Sequence, residues 1–359
     1  MGRVIAGGIV IAALSFCACL AAALGPLLAS EAGRSAVIDL LDRPAALDPT
    51  PIAFTVEPGD DAGTIARRLK EQGLIGDERL FRYLASATGL GVAIQVGQYE
   101  LRRDMTSRAI LEKLARGEVL LRTFTVPEGW QALQIVEGLE KQGVGDRAAL
   151  SAALAQLTAS PPPGTLAAAR PPGQSLEGYL FPETYRLARD ATPIEALTLM
   201  LRQLDEAFTP ELRAAVAARG LTPHQALTLA SIVEREAVKA EEQPIIAAVF
   251  LNRLRLGMPL QADPTVQFAL ALDPVRRARD GYWKKDLTVE DLAIDSPYNT
   301  YRVPGLPPGP ICSPGLGALR AVAKPAEVDY LYFVARPDGS HAFARTLAEH
   351  NANVARYQR

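Results

Sequence analysis

The sequence is poor in cysteine, histidine and aromatic side chains, and it has no tract of one charge sign. Three cysteines in 359 residues cannot make a disulfide framework. Cys17 and Cys19 lie in an apolar run and Cys312 stands alone, so an exported chain of this kind would fold without disulfides. The three histidines, His224, His341 and His350, are scattered without ligand spacing. A histidine-rich metal site is therefore not supported, and neither metal nor cofactor is expected. A net charge of -2 with a pI near 6.0 and no basic tract argues against a nucleic-acid partner.

What is present begins at the N-terminus. Val4 to Ala29 is an uncharged stretch of 26 residues. As a helix it would extend roughly 39 Å at about 1.5 Å per residue, enough to cross a hydrocarbon layer of about 30 Å with some tilt. Arg3 precedes it, and Glu31 and Arg34 follow, which favours the N-terminus inside and the remainder outside. The expectation is a single-pass anchor over residues 1–30; a cleaved signal peptide, with a shorter apolar region, is the rival reading. Residues 31–52, with Pro44, Pro49 and Pro51, form a tether.

An internal repeat follows. Phe54-Thr55-Val56, Gly59, Ile65, Leu69 and Gln72-Gly73 recur as Phe124-Thr125-Val126, Gly129, Ile135, Leu139 and Gln142-Gly143. Each copy predicts a short strand, a glycine turn and an amphipathic helix that stops at glycine. In the first copy a second helix is expected over Glu78 to Ala87 and a closing strand over Gln98 to Leu101. That strand–helix–helix–strand order resembles a LysM module, a small fold that binds N-acetylglucosamine-containing glycans; a generic α+β unit that positions its neighbour is the alternative. The module is bounded at 53–122, with a second LysM-like repeat near 124–145. Two proline clusters, Pro161 to Gly164 and Pro171 to Gly173, mark a loop. Leu176 to Tyr185 reads as an aromatic, strand-rich stretch, and helices dominate after Pro193. The class is α+β, with a mixed, helix-rich domain after the modules.

The helix that starts at Pro223 carries the candidate chemistry. Thr222 is placed to cap it and Gln225 to complete a capping box. Glu234 and Glu236 fall into its apolar run on different sides. Glu234 aligns with Leu227, Ala230 and Ala237, an apolar face on which partial desolvation would raise a carboxyl's pKa and let it serve as a general acid. A solvated glutamate paired with Arg235 or Lys239 is the plain alternative. Asp263 before Pro264 suits either an electrostatic role or a helix N-cap. Tyr298, Asn299 and Thr300 lie in a Pro-flanked loop, where they can contact a sugar or simply close a turn. Ser313 and Pro314 are expected to cap one later helix, Thr346 and Glu349 another.

The ordered set Ala230-Ser231-Ile232-Val233-Glu234-Arg235-Glu236, Val249 to Leu254, Leu260 to Val266, Ser296 to Tyr301, Gly305 to Ile311 and Tyr330 to Val334 resembles the MltG (YceG-like) family of endolytic murein transglycosylases. The resemblance covers nearly the whole chain and implies a catalytic domain over 123–359. It places the catalytic acid/base on Glu234, with Glu236 as the fallback, and substrate contacts at Asp263, Thr265, Tyr298, Asn299 and Thr300. It implies cleavage of peptidoglycan glycan strands to 1,6-anhydro ends at the outer face of the inner membrane, without a cofactor. A part in ending strand elongation, beside peptidoglycan synthases, is implied as well. A noncatalytic, membrane-tethered wall-binding scaffold is the reading from a different class.

Overall fold

The computed structural model describes residues 42–358; the expected anchor and most of the tether lie outside them. Among the described residues, no helix is long and apolar enough to cross a membrane. The chain divides into two compact units. One runs through Leu121 and takes in 188–190; the other holds 122–187 and everything from Ala191 onward.

In the first unit, β1 (Ile52–Val56) leads to α1 (Ala62–Glu71), α2 (Glu78–Ala87), a 3-10 turn at Leu90–Val92, β2 (Gly97–Leu101) and α3 (Ser107–Ala115). β1 and β2 pair antiparallel with Phe54 opposite Tyr99. Alternation along β1 drives Phe54 and Val56 inward, where they meet Ile65, Leu69, Phe81, Leu84 and Ile110 in one apolar core. Asp61 and Asp77 accept backbone N–H bonds at the starts of α1 and α2, which settles where each helix begins.

The second unit opens with the same order of elements: β3 (Leu121–Thr125), α4 (Ala132–Lys141), α5 (Arg147–Ala159) and β4 (Thr184–Ala188). β3 pairs with β4. The proline-rich segment lies between α5 and β4 in the chain, so the strand that pairs with β3 comes well after the helices. Gly73 and Gly143, the repeat's matching glycines, both take left-handed backbone angles after α1 and α4. Leu176 to Phe181 form turns rather than strand, and only Thr184 onward is extended.

The rest is mostly helical: α6 (Pro193–Ala207), α7 (Pro210–Ala217), α8 (Pro223–Glu236), α9 (Gln243–Arg255), α10 (Asp263–Ala271), α11 (Pro274–Asp280), α12 (Val289–Leu292), α13 (Leu316–Ala323), a β5–β6 hairpin (Tyr332–Ala335, His341–Ala344) and α14 (Leu347–Tyr357). α8 is the axis of this unit. It begins where expected, with Thr222 and Gln225 exchanging both bonds of a capping box. From Ala226 to Val233 every residue is buried, so the helix has no solvent face; α7, α9, α10 and α13 surround it. Leu227, Leu229, Ile232 and Val233 are fully buried, each burial stabilising by about 1.5–3 kcal/mol before entropy is charged.

Gly178 pins the turn before β4 to a distant segment. Its φ is +79°, and a Cβ there would fall 2.3 Å from Pro310 Cβ and 3.0 Å from the Cys312 carbonyl oxygen. Gly178→Ala combines left-handed strain with overpacking, so it should cost about 2–4 kcal/mol. Urea melts of the purified protein check this; a loss under about 1 kcal/mol would show that the close approach is soft.

Candidate active site

Three backbone and side-chain contacts fasten the end of α8 to the segment 311–315. Ile311 N–H donates to Ser231 Oγ at 3.0 Å, the Cys312 thiol donates to the Ser231 carbonyl at 3.4 Å, and Gly315 N–H donates to Glu234 Oε2 at 3.1 Å. The same segment is held on its other side by the loop after β3. Gly129 N–H donates to the Ser313 carbonyl, and Ser313 N–H donates to the Trp130 carbonyl, both at 2.8 Å. Gly129 has φ +77°, and a Cβ there would stand 3.2 Å from an Arg235 Nη1 and 3.9 Å from Glu234 Cγ. The loop therefore reaches the last turn of α8 only because that position is glycine.

Glu234 is partly buried in this junction. Burial raises its pKa, and the nearby Glu128 carboxylate adds to the rise; the Gly315 hydrogen bond and Arg235 oppose it. Arg235 itself stacks over Trp283, 4.1 Å from the ring centroid. A carboxylic acid in this setting is a proton donor with one oxygen anchored, the arrangement a general acid requires.

Glu236, the last residue of α8, looks elsewhere. It lines a cavity of about 480 Å³ with Arg253, Gln261, Asp263, Tyr301, His341 and His350. Burial first, and then the Asp263 charge, push its pKa up to about 8. Tyr301 donates its hydroxyl proton to Asp263 Oδ1 at 2.6 Å. Arg253 is spent on the carbonyls of Leu331, Leu260 and Pro259. Asp263 is not an N-cap: Ala262 holds that position without a side-chain bond, and Asp263 is the first residue of α10.

The expected substrate contacts separate into two kinds. Thr265, Asn299 and Thr300 are buried to within 1% of full exclusion. Asn299 Nδ2 donates to the Leu292 and Ile294 carbonyls, and its Oδ1 accepts from Tyr301 N–H. Thr265 and Thr300 hydroxyls bond each other at 2.9 Å, and Ala262 N–H donates to Thr300. These side chains fold the loop onto α10, with their polar atoms bonded within the fold. Tyr298 and Tyr301 stay partly exposed; Tyr298 lies against Phe268 at 4.8 Å. The helix after Pro314 is likewise capped at Gly315, not by Ser313 or Pro314.

Two carboxylates escaped sequence reasoning. Glu128 sits in the turn of the second repeat copy, where the first copy has Pro58; that mismatch was the available signal. Glu177 is buried, and both its oxygens accept from Ala132 N–H at the start of α4, at 2.9 and 3.1 Å. Desolvation raises its pKa to about 8. Only burial distinguishes it from a surface glutamate, and burial was not visible in the aromatic stretch around it. His224 completes the framework, with Nδ1 at 2.9 Å from the Tyr179 hydroxyl and Nε2 at 2.8 Å from the Pro308 carbonyl.

Glu177 and Glu236 make stability depend on pH with a definite sign. Both pKa values are raised on folding to about 8, so the unfolded chain gives up these protons first. Their stabilising contribution is complete below about pH 4.5 and is lost as pH rises to about 8. Melting temperature should fall across that window, and Glu236→Gln should remove part of the slope. A slope identical in wild type and variant would show that Glu236 ionises normally.

Comparison with known proteins identifies the family of the chain. Residues 54–356 match the YceG-like family. An endolytic murein transglycosylase of Bacillus subtilis is 32% identical over 317 residues, covering 86% of this chain and 85% of the relative. A Streptococcus pneumoniae protein of the same name is 32% identical over 330 residues, and there the match covers 85% of this chain but only 58% of the relative. The crystal structure of a putative yceG-like protein from Listeria monocytogenes superposes with a TM-score of 0.56 at 30% identity, covering 85% of this chain and 99% of that one. A desolvated glutamate closing a buried helix thus lies within a match that spans both units, and the chain belongs to the YceG-like family.

Proposed function

We propose that the protein is an endolytic lytic transglycosylase of peptidoglycan, cutting between N-acetylmuramic acid and N-acetylglucosamine and leaving 1,6-anhydro-N-acetylmuramic ends. The observation that carries this reading is Glu234: a partly buried carboxyl with a raised pKa and one oxygen tied to Gly315 N–H. The names of the relatives in Bacillus subtilis and Streptococcus pneumoniae support it.

The chemistry needs one proton carrier. Protonated Glu234 gives its proton to the oxygen linking the two sugars, and the C1–O bond breaks. Positive charge grows at the muramyl C1, where the substrate's own acetamido oxygen can stabilise it, so a second nucleophilic carboxylate is not required. The Glu234 carboxylate, held by a charge-assisted bond from Gly315, then takes the proton of the muramyl C6 hydroxyl. That oxygen bonds to C1 and closes the anhydro ring. The proton returns to Glu234, and no water is consumed.

The reading extends to place and partners. An anchor over residues 4–29 would hold the protein in the bacterial inner membrane with its catalytic part outside, next to nascent strands and their synthases. Cutting there would end strand elongation, and the βααβ unit of residues 52–101 would bind glycan as LysM modules do. Glu236 is the second candidate for the acid, favoured by its cavity and by a pKa near 8.

Full-length protein in detergent, incubated with purified peptidoglycan, tests the proposal by mass spectrometry of the products. Glu234→Gln should reduce release of anhydro-ended fragments by about 100-fold or more with the melting temperature unchanged. Loss in Glu236→Gln alone would move the assignment to that residue. Reducing ends would identify a hydrolase, and binding without cleavage would identify a wall-binding scaffold.

A further inference from the structure

Glu128 is turned toward the site by geometry that nothing in its own turn demands. The equivalent turn of the first repeat copy runs Glu57-Pro58-Gly59, with proline where the second copy has Glu128. Here the carboxylate rests on the face of Gly315. A Cβ on Gly315 would fall 1.8 Å from Glu128 Oε1 and 2.2 Å from its Cδ. Gly315 has an ordinary φ of -72°, so the glycine is needed for space and not for backbone freedom. Its N–H meanwhile donates to Glu234 Oε2. One residue without a side chain therefore brackets two carboxyl groups.

We infer that Glu128 is a positioning residue for Glu234: its carboxylate is seated on the face of Gly315, whose N–H holds Glu234 Oε2, and supplies the like charge that the acid/base meets in both half-reactions. The inference rests on Glu234 being the acid/base. A like charge beside an acid disfavours its ionised form, which serves both half-reactions, since the group must first hold a proton at neutral pH and then reclaim one. The opposing charge is Arg235 on the same helix, drawn aside over Trp283. From the 311–315 segment only the Cys312 thiol approaches, and burial keeps that thiol protonated. Around α8, Arg320 of α13, Glu211 of α7 and Arg255 of α9 are exposed, and Arg213 of α7 bonds the Phe208 and Asp205 carbonyls. Arg253 of α9 and Asp263 of α10 act on Glu236. Glu128 is thus the like charge that Glu234 meets.

The experiment is the pH–rate profile for release of anhydro-ended fragments by the full-length protein in detergent, with melting temperature recorded for each variant. Glu128→Gln should move the alkaline limb to lower pH by about half a unit to one unit, and Glu128→Asp should restore much of it. Gly315→Ala, which displaces the carboxylate without deleting it, should move the limb the same way. A loss of rate that is equal at every pH would overturn the inference and leave Glu128 a structural residue. Should Glu128→Gln fail to fold, Glu128→Ala and Gly315→Ala decide by carbon-13 titration of the Glu234 carboxyl; an unmoved Glu234 titration in them overturns it. Retained activity in Glu234→Gln would refute the assignment of the acid/base itself. An inactive Glu234→Gln with an unmoved limb in Glu128→Gln refutes only the role of Glu128.

Discussion

The site depends on one short irregular segment, residues 311–315, hydrogen-bonded on two sides. On one edge it meets the end of α8 through Ser231 and Glu234; on the other it meets the turn after β3 through Gly129 and Trp130. Without that double attachment the glutamate would lose its anchored oxygen and the second carboxylate its seat. The buried neighbours have matching parts: Glu177 caps α4, and His224 bridges Tyr179 to Pro308. Each buried polar group left unpaired in such a place costs about 1–3 kcal/mol, and Ser313 Oγ and Arg235 Nε carry that cost here. The polar side chains here act first as masonry, and chemistry occupies what remains exposed.

The repeat shows how such a site can be assembled. Two copies of a strand–helix–helix–strand unit share a glycine turn after the first strand. In one copy the turn is Glu57-Pro58-Gly59; in the other it is Pro127-Glu128-Gly129, pressed against α8. The backbone conformation is common to both, and the side chain in front of the glycine differs. A folding solution is kept while one of its loops is given a different task.

Much of this was legible in the sequence. The capping box at Thr222, the helix it starts and the paired strands of the first unit follow from local chemistry that any chain obeys, whereas Glu234 stood out through the family resemblance. The limits were equally physical. Periodicity suggested a helix with an apolar face, whereas α8 is buried on all sides from Ala226 to Val233, and a pattern within one helix cannot report what packs around it. Asn299, Thr265 and Thr300 looked like ligand contacts because polar loop residues usually have free hydrogen-bonding groups. Here the fold takes those groups: the Leu292 and Ile294 carbonyls accept from Asn299, and the Thr265 and Thr300 hydroxyls bond each other. Glu128 was hidden because its partner, Gly315, lies far along the sequence and is recognisable only by the side chain it lacks.

The distances along the chain have a consequence of their own. The junction joins residue 129 to residues 231–234 and 313–315, so no early fragment of the polypeptide contains it. Contacts this remote form late. A chain synthesised from its N-terminus would carry Glu234 without its anchoring N–H until residue 315 had followed.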